Sequence, residues 1–286
     1  AGLRAFRAAL PPYEGPAQAS VVEAQIHPDG TTEHHLRFRF ATGARSEGAL
    51  LLPPGEGPFP ALLLLHDHGS VFEAGWRKLF GGEGADDAVA RFYGGRPLAR
   101  HCAAEGFAVL VVDALGWGSR PMGGYEGQQA LAANLMQLGW SWAGVIAAED
   151  AQAARWLADH PRVDPSRIGA LGFSFGAFRA WQVAALSDAI QASAGLSWMA
   201  RRAELMVPGN NILRGQSAFA MLHPTLTGLL DFPDMAGLGA PKPLFLRSGR
   251  RDHHFPPAAV EGAFADLRGI YDAAGAGRLD TGFFDG

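Results

Sequence analysis

The sequence predicts an α/β protein: a mainly parallel, doubly wound sheet with helices on both faces and an antiparallel strand region at the N-terminal side. Three observations carry this expectation. From residue 61 onward, apolar runs of strand length alternate with helix-length stretches, the pattern of βαβ units. The pentapeptide Gly172-Phe173-Ser174-Phe175-Gly176 stands between an apolar run and a helix-compatible stretch. Before residue 61, three strand-like runs follow one another without a helix between them.

Residues 21–27, 34–40 and 49–52 read as those early strands. Asp29-Gly30 between the first two is a hairpin signal. Leu36, Phe38 and Phe40 alternate with Arg37 and Arg39, which suits a half-buried edge strand. After a Pro- and Gly-punctuated loop, residues 61–65 read as a buried strand ending at His66-Asp67-His68-Gly69. A helix is expected over 98–105 and a strand over 108–112, ending in Asp113. A long helix over 144–159 is stopped by Pro161. Residues 167–171 form the strand before the pentapeptide, and 177–186 the helix after it. Further strands are expected over 190–196, 243–247 and 279–284, with a helix from Pro257 to about residue 274. Right-handed crossovers then put helices on both faces, with functional residues at the carboxyl ends of the strands. The stretch 198–240, rich in Gly, Pro and Met, breaks the alternation and is expected as a lid or pocket wall. With no internal repeat or low-complexity linker, residues 1–286 read as one domain.

Of the 286 residues, 48% are hydrophobic and 18% charged, enough apolar material for a large core and too much for a disordered chain. A net charge of −4 gives no basic footprint for nucleic acid. No apolar run reaches membrane-spanning length. The single cysteine, Cys102, excludes an internal disulfide and reads as a buried apolar residue. Lysine occurs only at Lys78 and Lys242, and arginine supplies the other cations. The chain starts at Ala1 with no signal peptide to read, which leaves cytoplasmic and secreted locations both open, and the oligomeric state open as well.

A G-x-S-x-G sequence between a strand and a helix is what a nucleophile elbow requires. The serine sits on a sharp turn, and the flanking glycines remove Cβ atoms that would clash. A serine hydroxyl needs a base, and the base an orienting acid. In chain order after Ser174, Asp252 follows the 243–247 strand and is the expected acid. Asp231 and Asp234 lie before that strand and are its rivals. The base is expected just after Gly286, beyond the last strand; His254 and His253, and less so His223, are the internal alternatives. Oxyanion donors are expected from the Phe175 backbone N–H and from His68 in the loop after residues 61–65. Phe173, Trp117, Trp198 and Met199, with Phe175, are candidates for the substrate pocket wall. Arg120, Arg201 and Arg202 are candidates for a substrate carboxylate. Two other readings stand beside this one. His66, His68 and Asp113 together have metal-ligand character. A non-catalytic binding protein is the second.

Taken together, the loop His66-Asp67-His68-Gly69, the stretch Asp113-Ala114-Leu115-Gly116-Trp117-Gly118-Ser119-Arg120, the lead-in Val163-Asp164-Pro165-Ser166-Arg167-Ile168-Gly169, the pentapeptide, and Ala240-Pro241-Lys242-Pro243 leading to Gly249 and Asp252 resemble the α/β-hydrolase superfamily. The likeness is to its dienelactone-hydrolase-like and acetyl-xylan-esterase-like branch. It implies the α/β-hydrolase fold and a serine esterase acting on small-molecule or carbohydrate-linked acyl esters through a seryl-acyl intermediate. It implies no cofactor, while the net charge and the short apolar runs give the expectation of no nucleic-acid or membrane partner. A dienelactone-type or peptidase-like serine hydrolase is the neighbouring possibility. Asp67 replaces a glycine frequent after the first histidine of this loop, and Phe283-Phe284-Asp285-Gly286 resembles the lead-in to a Gly-His pair.

Overall fold

The computed structural model describes residues 1–275 and 278–286. A helix, α1 (Gly2–Ala8), precedes three strands: β1 (Gln18–Ile26), β2 (Thr32–Arg39) and β3 (Arg45–Leu52). Then come β4 (Phe59–Leu65), the helices α2 (Arg77–Phe80), α3 (Asp86–Tyr93) and α4 (Leu98–Ala104), and β5 (Ala108–Val112). Two long helices, α5 (Tyr125–Gln137) and α6 (Trp142–Ala158), lead to β6 (Val163–Phe173), α7 (Phe175–Leu186) and β7 (Ala192–Leu196). The remainder comprises a small ribbon, β8 (Met206–Val207) and β9 (Asn210–Asn211), then α8 (Phe232–Gly237), β10 (Leu244–Gly249), α9 (Pro257–Ala273) and β11 (Leu279–Phe284).

Nine strands form one sheet in the order β1-β2-β3-β5-β4-β6-β7-β10-β11. The first three and β5 pair antiparallel, and every pair from β5 to β11 is parallel. This is the α/β-hydrolase arrangement that the sequence predicts. The alternation along single strands explains why both faces are covered. On β5, Ala108, Leu110 and Val112 join the core under α6, α7 and α9, whereas Val109 and Val111 join the core under α2 and α4. A strand buried on both faces reads as a continuous apolar run, as these five residues do.

The Asp29-Gly30 signal is realised as the β1–β2 turn. The Asp29 carboxylate accepts from the Thr31 N–H at 2.9 Å and the Thr31 hydroxyl at 2.7 Å. Gly30 has φ +83°. One expectation is corrected here: residues 34–39 of the predicted edge strand fall in β2, which lies between β1 and β3, and β1 is the edge strand on this side of the sheet. The arginine alternation reports one wet face rather than an open edge, with Leu36 and Phe38 buried and Arg37 and Arg39 exposed. Residues 198–240 fold into short 3-10 turns, the β8–β9 ribbon and α8; α8 packs against α7 and α9.

Candidate active site

The register sets the site. Leu65 of β4 pairs with Gly172 of β6, and Phe173 of β6 with Leu196 of β7. The residues that follow these pairs therefore emerge side by side at the carboxyl edge. Ser174 is the turn between β6 and α7, with φ 53° and ψ −125°, a conformation that costs a non-glycine residue about 1–3 kcal/mol. The turn is pinned by the Ser174 N–H donating to the Leu196 carbonyl at 2.8 Å. A Cβ at Gly172 would overlap the Gly176 backbone, and one at Gly176 would overlap the Leu65 carbonyl oxygen. Both glycines of the pentapeptide are thus required by close backbone approach. Ser174 opens onto a cleft of about 420 Å³ whose walls include His68, Tyr125, Phe173, Phe175, Trp198 and His254.

Phe175 is the first residue of α7. Its N–H is one of the unpaired amides of a helix N-terminus, where the helix dipole favours negative charge. On the opposite side, the loop 66–68 has its carbonyl groups held from behind. His66 O accepts from Arg179 Nη1 at 3.4 Å. Asp67 O accepts from His66 Nδ1 at 3.0 Å and from Lys78 Nζ at 3.0 Å. His68 O accepts from Lys78 Nζ at 2.9 Å and from Trp117 Nε1 at 3.0 Å. Gly69 has φ +55°, and a Cβ there would overlap the Asp67 carboxylate.

The metal reading is overturned by the same geometry. His66 Nε2 accepts from the Ala114 N–H at 3.1 Å while Nδ1 donates to Asp67 O, so neither ring nitrogen is free. Burial, with Arg179 and Lys78 nearby, holds this imidazole well below its usual pKa and keeps it neutral. Asp113 gives one carboxylate oxygen to the Trp76 N–H at 2.6 Å and the other to the Ser119 N–H at 2.7 Å. It clamps two loops together. His68 Nδ1 accepts from the Ser70 N–H at 3.3 Å, and burial pushes its pKa down to about 4. Among the described residues, no group of three or more histidine, cysteine or acidic side chains could hold a metal ion.

Asp252 lies three residues past the end of β10. Its carboxylate accepts from the His254 N–H at 2.9 Å, and the His253 and His254 rings, 4.2 Å apart, make no bond to it. The rivals are occupied: Asp231 and Asp234 form the capping box of α8. His223 is buried with Nε2 2.6 Å from Gln182 Oε1 and Nδ1 3.4 Å from Ser141 Oγ, remote in role from Ser174. No histidine ring is hydrogen-bonded to the Ser174 hydroxyl among the described residues. The end of β11 is delivered to the Asp252 loop: Arg250 N–H donates to Phe284 O at 3.0 Å and Arg251 N–H to Gly286 O at 2.6 Å.

Two candidates for the pocket wall are instead core residues. Trp117 is fully buried, stacked between Trp142 and Phe175 at ring distances of 5.5 and 5.3 Å, and Met199 is 2% exposed. The three arginines considered for a carboxylate are already paired: Arg120 with Glu149, Arg201 with Asp266, Arg202 with Asp231. Sequence reasoning missed Tyr125, Ile212, Ser217 and Met221, which line the cleft, and the group formed by the buried Lys78 and Asp67 with the half-buried Tyr93. The one available signal was a rare lysine followed directly by Leu79-Phe80.

A match to the profile of the Abhydrolase family spans residues 23–264, and the chain belongs to that family, whose acetyl-xylan-esterase-like members it resembles. YtaP of Bacillus subtilis (strain 168), a provisionally named hydrolase, is 28% identical over 221 residues, 77% of this chain and 70% of that one. Among solved structures, a provisionally named acetyl xylan esterase from Bacteroides fragilis NCTC 9343 superposes with TM-score 0.78 at 20% identity. It covers 99% of this chain and 73% of that one. A glucuronoyl esterase from Solibacter usitatus gives TM-score 0.64 at 15% identity, over 99% and 86% of the two chains. At these identities the structural likenesses establish the fold.

Proposed function

We propose that the protein is a serine ester hydrolase acting on small-molecule or carbohydrate-linked acyl esters through a seryl-acyl intermediate. The observation that carries this reading is Ser174. It is held at positive φ between two glycines that tolerate no Cβ, with its side chain at a cleft and the N-terminus of α7 beside it. Strain kept at such a residue is worth its cost when it aims a nucleophile.

Ser174 Oγ attacks the ester carbonyl carbon and passes its proton to a histidine base. The carbonyl oxygen takes the negative charge and receives the N–H groups of Phe175 and His68. Collapse of the adduct expels the alcohol, which takes the proton from the base, and water then releases the acid by the same steps. Asp252 orients the base. We assign the base to a histidine entering from beyond β11, because the Arg251 bond to Gly286 brings that strand end against the Asp252 loop. His254, which lines the same cleft, is the internal alternative, and His253 beside it the next. Phe92, Tyr125, Phe173 and Trp198 along the cleft offer ring faces suited to a sugar or small acyl group. The structural relatives named as acetyl xylan and glucuronoyl esterases support the substrate class.

The test is turnover of p-nitrophenyl acetate together with labelling by a fluorophosphonate, each set against Ser174→Ala. Turnover and label are both expected in the native protein and lost in the variant. Turnover or labelling that survives Ser174→Ala removes the serine from the mechanism.

A further inference from the structure

We propose that Lys78 is a positioning residue for oxyanion stabilisation: its buried ammonium, by binding the Asp67 and His68 carbonyls, aims the His68 N–H into the cleft. The inference rests on the esterase reading above and identifies a group that no part of that reading requires.

Lys78 is fully buried, in the four-residue helix α2. A charged lysine in such a place is costly unless paired and hydrogen-bonded. Its Nζ donates to Asp67 O at 3.0 Å and His68 O at 2.9 Å, and lies 3.6 Å from Asp67 Oδ2. The counter-charge is itself fixed: the Tyr93 hydroxyl donates to Asp67 Oδ1 at 2.6 Å. Asp67 Oδ2 is buried and has no hydrogen-bond partner among the described residues, so the Lys78 ammonium is the charge that faces it. Two buried charged side chains and the half-buried Tyr93 are therefore committed to one backbone segment.

The consequence follows from peptide geometry. In a trans peptide the N–H of one residue points opposite to the C=O of the residue before it. Lys78 and the His66 ring draw the Asp67 carbonyl away from the cleft, so the His68 N–H is turned towards it, on the side of Ser174 and Phe175. Lys78 and the Trp117 indole then fix the next carbonyl, that of His68, which prevents the peptide from rotating back. The positive charge behind the segment also polarises that peptide, strengthening its N–H as a donor. Donors fixed in advance where charge develops act on the transition state and not on the ground state.

Lys78→Met keeps the length and apolar stem of the side chain and removes the donors. The expected result is a kcat for p-nitrophenyl acetate lowered by about 10- to 100-fold, with KM changed less than about threefold. The inhibition constant of an aryl trifluoromethyl ketone, whose serine adduct carries the oxyanion, should rise by the same factor. General loosening of the fold would move KM and the binding of a neutral substrate analogue as well. Should Lys78→Met fail to fold, Trp117→Phe preserves the ring stack, frees the His68 carbonyl on one side, and should shift kcat and the ketone constant in parallel by a smaller factor. Unchanged kcat and ketone affinity in whichever variant folds overturn the inference and leave Ser174 as nucleophile untouched. A native protein with no serine-dependent ester turnover overturns the esterase reading, and this inference with it.

Discussion

At the scale of single residues, the site depends on what is missing from two positions. Gly172 and Gly176 face backbone rather than side chains, so an added methyl cannot be accommodated by a rotamer change. Overpacking against backbone costs at least about 1–3 kcal/mol. Gly176→Ala is expected to lower the melting temperature by about 5 °C and to slow fluorophosphonate labelling sharply. The clash pushes the end of β4 away from Ser174, and with it the 66–68 loop. Calorimetry and a labelling time course on the same sample check both effects. The pentapeptide made this legible from sequence. What the pentapeptide could not disclose is Lys78, because its partners are carbonyl groups, which every residue has and no residue type announces.

At the scale of elements, the loops after β4 and β5 are held by buried side chains of single purpose. Asp113 accepts backbone N–H groups from two loops, at Trp76 and Ser119. Glycines at 75 and 118 let those loops approach its carboxylate. Burial raises its pKa while the two amides act the other way. Asp113→Ala should cost about 3 kcal/mol through two orphaned amides and a void, measured by urea unfolding. Activity should be indifferent to EDTA, since the lone pairs a metal would need are already used. Sequence periodicity found the nine strands of the main sheet and the helices α4, α6, α7 and α9 to within a few residues. It missed α1, α2, α3, α5, α8, the β8–β9 ribbon and the short turns of residues 203–226. Those elements are short or weakly amphipathic and owe their form to packing. The alternation in β2 was read correctly as one buried face, but strand order is a long-range property, and a wet face alone does not make an edge.

At the scale of the whole molecule, buried neutral histidines set the response to acid. His66 is held well below its usual pKa by burial and two cations, His68 is lowered to about 4, and burial lowers His223 to about 3. In the unfolded chain each takes a proton near pH 6.5. Between that value and about pH 4 the unfolded state binds more protons, so stability is full above the unfolded pKa and is lost as pH falls. Three such groups give about 4 kcal/mol per pH unit near pH 5. The raised pKa of Asp113 acts in the opposite sense with one group. Urea midpoints measured from pH 7.5 to pH 5 should fall steeply. His223→Gln, which keeps a hydrogen-bonding side chain beside Gln182, should flatten that slope by about a third. An unchanged slope would mean that His223 is protonated in the fold.

The sequence by itself determined the layered architecture and the tight turn at Ser174. Both rest on local rules, the two-residue period of strands and the need for glycine where backbones touch, and such rules are written in consecutive residues. Only the tertiary structure decided which histidines are unavailable, which aromatics are core and which are wall, and what stands behind the 66–68 loop. Those outcomes depend on groups far apart in the chain, Arg179 on His66 and Lys78 on His68. Burial and charge at one residue are set there by residues whose identity says nothing of their neighbours until the sheet has brought them together.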